Sequence, residues 1–390
     1  MRRLLVLVAS LVFVDTMLFA ALTPLFALFA HELRLSPLAA GALVAAYPAG
    51  TLIGGLPGGL FAARGGSRRA VLVGLALMAA STLAFAFASG FVALLVARLV
   101  QGIASAFTWS GAFSWLLASA PRERRGELIG SAMSAAVVGA LFGPVVGVVA
   151  ALAGRAATFT ALVALAGLLA LWSLRVQSPP PAETSLTRLA SALRKPRFAG
   201  GLALLAIASL LIGVVSVLGP LHLAGAGWSA AAIGALWLIS AAIEAAGAPF
   251  VGRVSDRSGT LRPVSLAVGV GLVAAIGVLG LSGAPAVYAP VLVVASVVFG
   301  VLFIPAFALI AEGADDAGLA KGLAFGFMNA AWAAGAAVGP AAAGAIAVAT
   351  SDSVAFALAA VLCTVTLMAV GASKRGLSVS GLARGVPQSS

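Results

Sequence analysis

The chain has 390 residues, 62% of them hydrophobic and 9% charged, with a mean hydropathy of +1.15. A soluble domain carries about 25% charged residues, so a soluble globule is excluded. The net charge of +12 does not indicate nucleic acid, because the basic residues form short clusters between apolar runs instead of lining one face.

Long unalternating apolar runs exclude an outer-membrane barrel, which leaves an all-α integral membrane protein. Forty-six glycines suit helices that pack closely in lipid. A span needs about 20 apolar residues. In chain order the spans read 4–30, 37–62, 70–89, 91–118, 127–152 and 156–175, then 199–223, 229–252, 263–282, 287–311, 322–348 and 353–373. The first is too long for the core of a cleavable signal and lacks a small-residue cleavage site.

Twelve transmembrane helices thus divide six and six. The expected units are a first bundle at 1–176, a linker at 177–198, a second bundle at 199–374 and a disordered tail at 375–390. The linker carries PPPAET and then TRLASALRKPR, whose basic second part is expected on the membrane surface, with an unstructured linker as the alternative. The tail is rich in Ser and Gly.

Orientation follows from the basic residues. Twenty of the 23 Lys and Arg lie on the side that holds both termini, Arg34 and Arg155 lie on the other, and Arg98 lies within a span. Both termini are therefore expected in the cytoplasm.

The halves repeat. GLFAARGGSRR from Gly59 follows the second span, and GRVSDRSGTLR from Gly252 follows the eighth; Gly59 and Gly252, Arg64 and Arg257, and Gly66 and Gly259 are each 193 residues apart. In the fifth and eleventh spans, Gly139-Ala-Leu-Phe-Gly143-Pro144 answers Gly335-Ala-Ala-Val-Gly339-Pro340 at an offset of 196. A parallel repeat of this kind is the organisation of a secondary transporter, with its site between the halves.

These motifs carry a resemblance. The first-half loop resembles the G-x-x-x-D-R-x-G-R-R/K signature of the major facilitator superfamily, with Ala63 where the Asp belongs and Ser67 where a basic residue is usual. In the second half Asp256 and Arg257 are both present. Arg98-Leu-Val-Gln-Gly102 resembles the family's R-x-x-Q-G motif. Gly139-x-x-x-Gly143-Pro144-x-x-Gly147 resembles the antiporter motif of exporters, and Asp15 followed by Pro24 resembles the first span of tetracycline-type exporters. The chain is thus most similar to the twelve-span drug/proton antiporter branch. The resemblance implies two pseudo-symmetric six-helix bundles and places the first span beside the fourth.

Of the 11 acidic residues only Asp15 and Glu244 lie deep within spans, which makes them the candidate proton carriers. An acid near the bilayer centre costs roughly 2.5–3.5 kcal/mol, so it is retained where a cavity or partner receives it. The alternative for Asp15 is a span lying low enough for headgroup water to reach it. Arg98, Gln101, Ser105 and Trp109 form one stripe of the fourth span. Arg98 cannot lose its charge and needs an anion or wet cavity; Asp15 is the expected partner, with helix carbonyls or snorkelling as the alternative.

Glu244 shares a face with Trp237 and Ser240, and an acid beside an aromatic surface suits a cationic, apolar solute; the alternative is a bond to a neighbouring helix or a place near the interface. Asn329 and Trp332 share a face of the eleventh span and serve either solute or packing. Phe19 is grouped with them as cavity-lining. The loop residues Gly59, Arg64, Gly66, Gly252, Asp256, Arg257 and Gly259 and the span residues Gly139, Gly143, Pro144, Gly339 and Pro340 are assigned to gating. Asp256 and Arg257 are expected to tie the inner loop to the start of the fifth span, near Glu127, with a weaker first-half latch because of Ala63. His31 and His222 read as interfacial or pH-sensing residues, and Cys363 as a packing residue.

No phosphate loop, metal cluster or nucleophile constellation is present in the sequence, so no cofactor and no enzymatic activity are expected. The expected protein is a monomeric inner-membrane exporter in a lipid bilayer that exchanges protons for a small, largely apolar or cationic organic solute by alternating access. The alternatives are a uniporter or proton symporter of a sugar, amino acid or other metabolite, and a lipid transporter or non-transporting receptor on the same scaffold.

Overall fold

The computed structural model describes residues 1–32, 37–88, 90–181, 186–281 and 284–383. Every regular element among them is helical. That is the outcome physics requires of an apolar chain in hydrocarbon, where each N–H and C=O must find its partner within the segment.

The first half comprises α1 (Arg2–Glu32), α2 (Pro37–Gly65), α3 (Ser67–Phe87), α4 (Phe91–Ser119), α5 (Arg125–Ala153) and α6 (Arg155–Arg175). A short helix, α7 (Leu186–Leu193), follows in the linker. The second half comprises α8 (Pro196–Gly225), α9 (Ala230–Ser258), α10 (Leu261–Leu281), α11 (Pro285–Val301), α12 (Phe303–Asp316), α13 (Lys321–Ala349) and α14 (Asp352–Ala383). Among the described residues eleven segments are long and apolar enough to cross a bilayer, and α10 supplies the twelfth.

Two boundaries differ from the sequence expectation. The expected span 287–311 is interrupted at Leu302, between α11 and α12. Pro305 explains the break: it has no N–H to give the Val301 carbonyl, and the ladder restarts with Ala306 N–H donating to Leu302 O at 3.1 Å. The tail expected to be disordered from residue 375 continues α14 as far as Ala383, and 384–390 lie outside the described residues. Ser and Gly weaken a helix by less than about 1 kcal/mol each, too little to stop one that a long apolar span has nucleated.

Helices α1 to α6 pack mainly as α1 on α5, α2 and α3 on α4, and α3 on α6; α8 to α14 pack as α8 on α13 and α12, and α10 on α11 and α14. The halves meet where α2 and α4 touch α13 and where α5 touches α9. The seams use the repeated glycines. A Cβ on Gly59 would lie 2.7 Å from Gly322 O and Gly326 Cα across the first seam, and one on Gly252 would stand closer still to the Gly126 main chain across the second. Gly139 and Gly143 admit α1 against α5. Gly335 and Gly339 admit α8 against α13, with Pro340 against Gly213, while Pro144 is exposed.

Gly66 (φ 91°) and Gly259 (φ 83°) turn the chain from α2 into α3 and from α9 into α10 in the left-handed region. A side chain there would be strained, so these two signature glycines serve the turn whereas Gly59 and Gly252 serve the seam. Cys363 is fully buried, as a packing residue would be.

Candidate functional site

The centre of the first half is organised on Asp15. It lies midway along α1 and is 1% exposed. Its Oδ2 accepts from Trp109 Nε1–H at 2.7 Å and from the Ser105 hydroxyl at 2.8 Å, both on α4, and lies 3.2 Å from the Tyr47 hydroxyl on α2. Tyr47 is also 2.8 Å from Ser105 Oγ, so its proton can serve either oxygen. Asp15 Oδ1 is buried with no hydrogen-bond partner among the described residues.

Arg98 does not form the expected ion pair with Asp15. Its guanidinium donates to Gln101 Oε1 at 2.8 Å and to the Phe19 carbonyl at 3.0 Å. It also lies over the rings of Tyr47 and Phe19, 4.9 and 5.1 Å from their centroids. Tyr47 touches both groups, its ring under the Arg98 guanidinium and its hydroxyl 3.2 Å from Asp15 Oδ2, and a planar, weakly hydrated cation is well held by aromatic faces. The α4 stripe of Arg98, Gln101, Ser105 and Trp109 is therefore one connected network facing α1 and α2.

The network touches the other half through Trp332 on α13, whose ring meets Phe19 and Tyr47 edge-on at 6.4 and 6.2 Å. Asn329, one turn earlier, donates from Nδ2 to Ala106 O at 3.1 Å and to Ser110 Oγ at 3.0 Å, bonding α13 to α4. Toward the end that carries the termini, Trp109 stacks on Phe113 at 5.3 Å, and Phe113 packs on Phe307 (5.1 Å) and Phe325 (5.6 Å) of the second half. These rings pack across the seam between Asp15 and that end.

Two polar fastenings lie beyond the rings. Asp256, near the C-terminus of α9, accepts from the main-chain N–H groups of Gly126 (2.7 Å) and Glu127 (2.9 Å) at the start of α5. A carboxylate at a helix N-terminus meets both free donors and a favourable dipole. Asp315 pairs with both Arg125 and Lys321, bridging the halves again. Arg64 and Arg257 are exposed.

Glu244 sits apart from this network. It lies midway along α9, and its carboxylate rests against the Cα of Gly300 on α11, where any side chain would collide with it. It has no hydrogen-bond or ion-pair partner among the described residues. Ser240 Oγ donates to Leu236 O of its own helix, and Trp237 is partly buried against the core.

His222 stacks on Tyr288 at 4.4 Å and lies 3.9 Å from the Asp352 carboxylate. Pro24 and His31 lie outside the residues whose side chains are described. No group of three or more metal-ligating side chains occurs among the described residues.

Tyr47, Phe113, Phe307, Phe325 and Gly300 belong to these sites and escaped the sequence reading. Gly126 and Gly322 escaped it too, although they carry the same offset of 196 as the Gly-Pro pairs.

A family model described as Major Facilitator Superfamily matches residues 8–324. The MFS-type transporter YcaD of Escherichia coli, itself uncharacterised, is 28% identical over 278 residues, 70% of this chain and 72% of that one. The human synaptic vesicular amine transporter is 35% identical over 144 residues, 35% of this chain; the match spans only 28% of that relative. In structure, the human organic anion transporter MFSD10 (TETRAN) superposes with a TM-score of 0.78 at 17% identity, covering 95% of this chain and 99% of that one. That likeness speaks to the fold.

Proposed function

The chain belongs to the Major Facilitator Superfamily, and from that premise we propose that it is a proton-coupled exporter of small, largely apolar or cationic organic compounds, working by alternating access in the inner membrane with both termini cytoplasmic. The carrying observation is the Asp15 carboxylate: buried at mid-helix and, among the described residues, held on one oxygen and without an ion-pair partner. A carboxylate so placed binds a proton when sealed from water and gives it up when a wet path opens. Glu244, midway along α9 of the other half and without a partner among the described residues, is the second proton-binding candidate. Arg98 positions the first through Tyr47.

Solute class is argued from how the polar groups are used. Ser105 serves Asp15, Gln101 serves Arg98, Asn329 serves α4, and Ser240 serves its own helix. A sugar needs unspent donors and acceptors, whereas Phe19, Tyr47 and Trp332 offer ring faces and edges at the seam. The closed rings and fastenings at the terminal end correspond to a form open, in the cycle, to the opposite side. One proton moving through 100 mV supplies about 2.3 kcal/mol, enough for a gradient of roughly fifty-fold in a neutral solute.

The test is proton release from protein in proteoliposomes on addition of a lipophilic organic cation, together with uptake driven by a pH gradient. Asp15→Asn or Glu244→Gln should abolish the coupling. If both variants retain gradient-driven transport, the coupling assignment is wrong.

A further inference from the structure

A crevice of about 1350 Å³ lies at the terminal end of the second half, apart from the Asp15 network. It is larger than the roughly 300–1,000 Å³ that a drug-sized solute occupies. Its shaft is apolar, lined by Leu204 and Ile207 of α8, Val264 of α10, Leu309 of α12, and Leu362 and Val365 of α14. Val365 lines the shaft and is 52% exposed, so the shaft is accessible from outside the helices.

The mouth carries charges of both signs, and their pairing decides its character. All four acids are engaged. Asp256 holds the α5 main chain, Asp315 holds Arg125 and Lys321, Asp316 accepts from Arg197 at 3.0 Å, and Glu312 accepts from Thr260 at 2.8 Å. Arg122, Lys195 and Arg262 also line the mouth, and none has a carboxylate partner among the described residues. The hydrogen bonds to Asp256 and Glu312 come from neutral donors and leave their charges in place, so five cations (Arg122, Arg125, Lys195, Arg197 and Arg262) face four carboxylates; the mouth keeps a net excess of one positive charge, with Arg122, Lys195 and Arg262 the cations not committed to an acid, above an apolar shaft.

We propose that this crevice binds an anionic phospholipid from the adjoining leaflet, its head group on Arg122, Lys195 and Arg262 and an acyl chain in the shaft. Charge complementarity selects the head group, since a cationic mouth beside a membrane attracts anionic lipid. Because Arg125, Gly126 and Asp256 also border the crevice, the bound lipid lies against the fastening that closes the terminal end. It favours that closed form by mass action. The inference is independent of which solute is carried.

The test uses the full chain in detergent micelles, titrated with phosphatidylglycerol or phosphatidylcholine of identical acyl chains and read by thermal shift and lipid retention. Phosphatidylglycerol should be retained about tenfold or more over phosphatidylcholine. Arg122→Gln/Lys195→Gln/Arg262→Gln should remove the preference while leaving the melting temperature in phosphatidylcholine unchanged. Val365→Trp, which fills the shaft without altering charge, should reduce retention of phosphatidylglycerol; Ala369→Trp serves the same purpose if that variant does not fold. Equal retention of the two lipids, or a preference surviving either the charge or the shaft variants, overturns the site. So does an equal thermal shift with inorganic phosphate alone.

Discussion

Asp256 and Ala63 occupy equivalent positions of the two halves, 193 residues apart, and only Asp256 reaches across to cap a helix of the other half. Ala63 lies against Gly322, the counterpart of Gly126, with only main chain and methyl groups between them. At these equivalent positions one seam is fastened by a carboxylate cap and the other by packing.

Asp256→Ala should therefore loosen closure at the terminal end. Two hydrogen bonds to a carboxylate, partly exposed, are worth about 2 kcal/mol together, which changes the open population by up to roughly thirtyfold. Ser110→Cys in a Cys363→Ser background, a site buried against Asn329, should react faster with an impermeant maleimide by a comparable factor. Ala63→Asp should slow that reaction by supplying a cap for the Gly322 and Leu323 N–H groups, and should restore slow labelling to Asp256→Ala. Unchanged labelling in all three variants would mean that the cap does not govern closure.

The contacts of Asp15 can be tested by a double-mutant cycle. Trp109→Phe keeps an aromatic ring against Phe113 but removes the 2.7 Å donor to Asp15. A hydrogen bond to a buried charged group contributes about 1.5–3 kcal/mol, so the melting temperature should fall. Asp15→Asn retains an acceptor in place of Oδ2 and should fold, and against it the cost of Trp109→Phe should shrink by about 1 kcal/mol or more. Strictly additive losses would show that the indole bond contributes nothing to holding the acid.

How far these features can be read in sequence depends on what fixes them. Span positions are set by hydrocarbon thickness, a one-dimensional constraint, and the helices fall close to the apolar runs. The seam glycines repeat at fixed offsets, so the correspondence of Gly59 with Gly252 is visible before any fold is known. The break at Leu302 is set by Pro305, whose effect falls four residues upstream and is hidden inside an apolar run. The partners of Arg98 are hidden for another reason. Counting charges finds Asp15, but cannot find the rings of Tyr47 and Phe19 that take up the guanidinium.

Arg98→Lys separates charge from shape at that position. The lysine keeps the charge but cannot lie flat between Phe19 and Tyr47 or span from Gln101 to the Phe19 carbonyl. Lost cation–π and hydrogen-bond geometry should cost about 1–3 kcal/mol. It should also slow transport, through Tyr47 losing the cation beneath its ring. A lysine variant with normal stability and turnover would reduce Arg98 to a bare charge.

Gly300 and Gly59 should respond to the same substitution in opposite ways. At Gly59 an added methyl meets Gly322 O and Gly326 Cα at 2.7 Å, and main-chain atoms of a packed helix cannot retreat. Overpacking costs about 1–3 kcal/mol, all of it borne by the closed seam, so Gly59→Ala should speed thiol labelling at Ser110→Cys. At Gly300 the atoms nearest the methyl are those of the Glu244 carboxylate, the free end of a flexible side chain. The acid can swing away, so Gly300→Ala should shift stability by less than about 1 kcal/mol. It should nevertheless change the number of protons released per solute in the same direction as Glu244→Gln. If proton release is unaltered while Glu244→Gln changes it, the acid acts from some position other than its seat on Gly300.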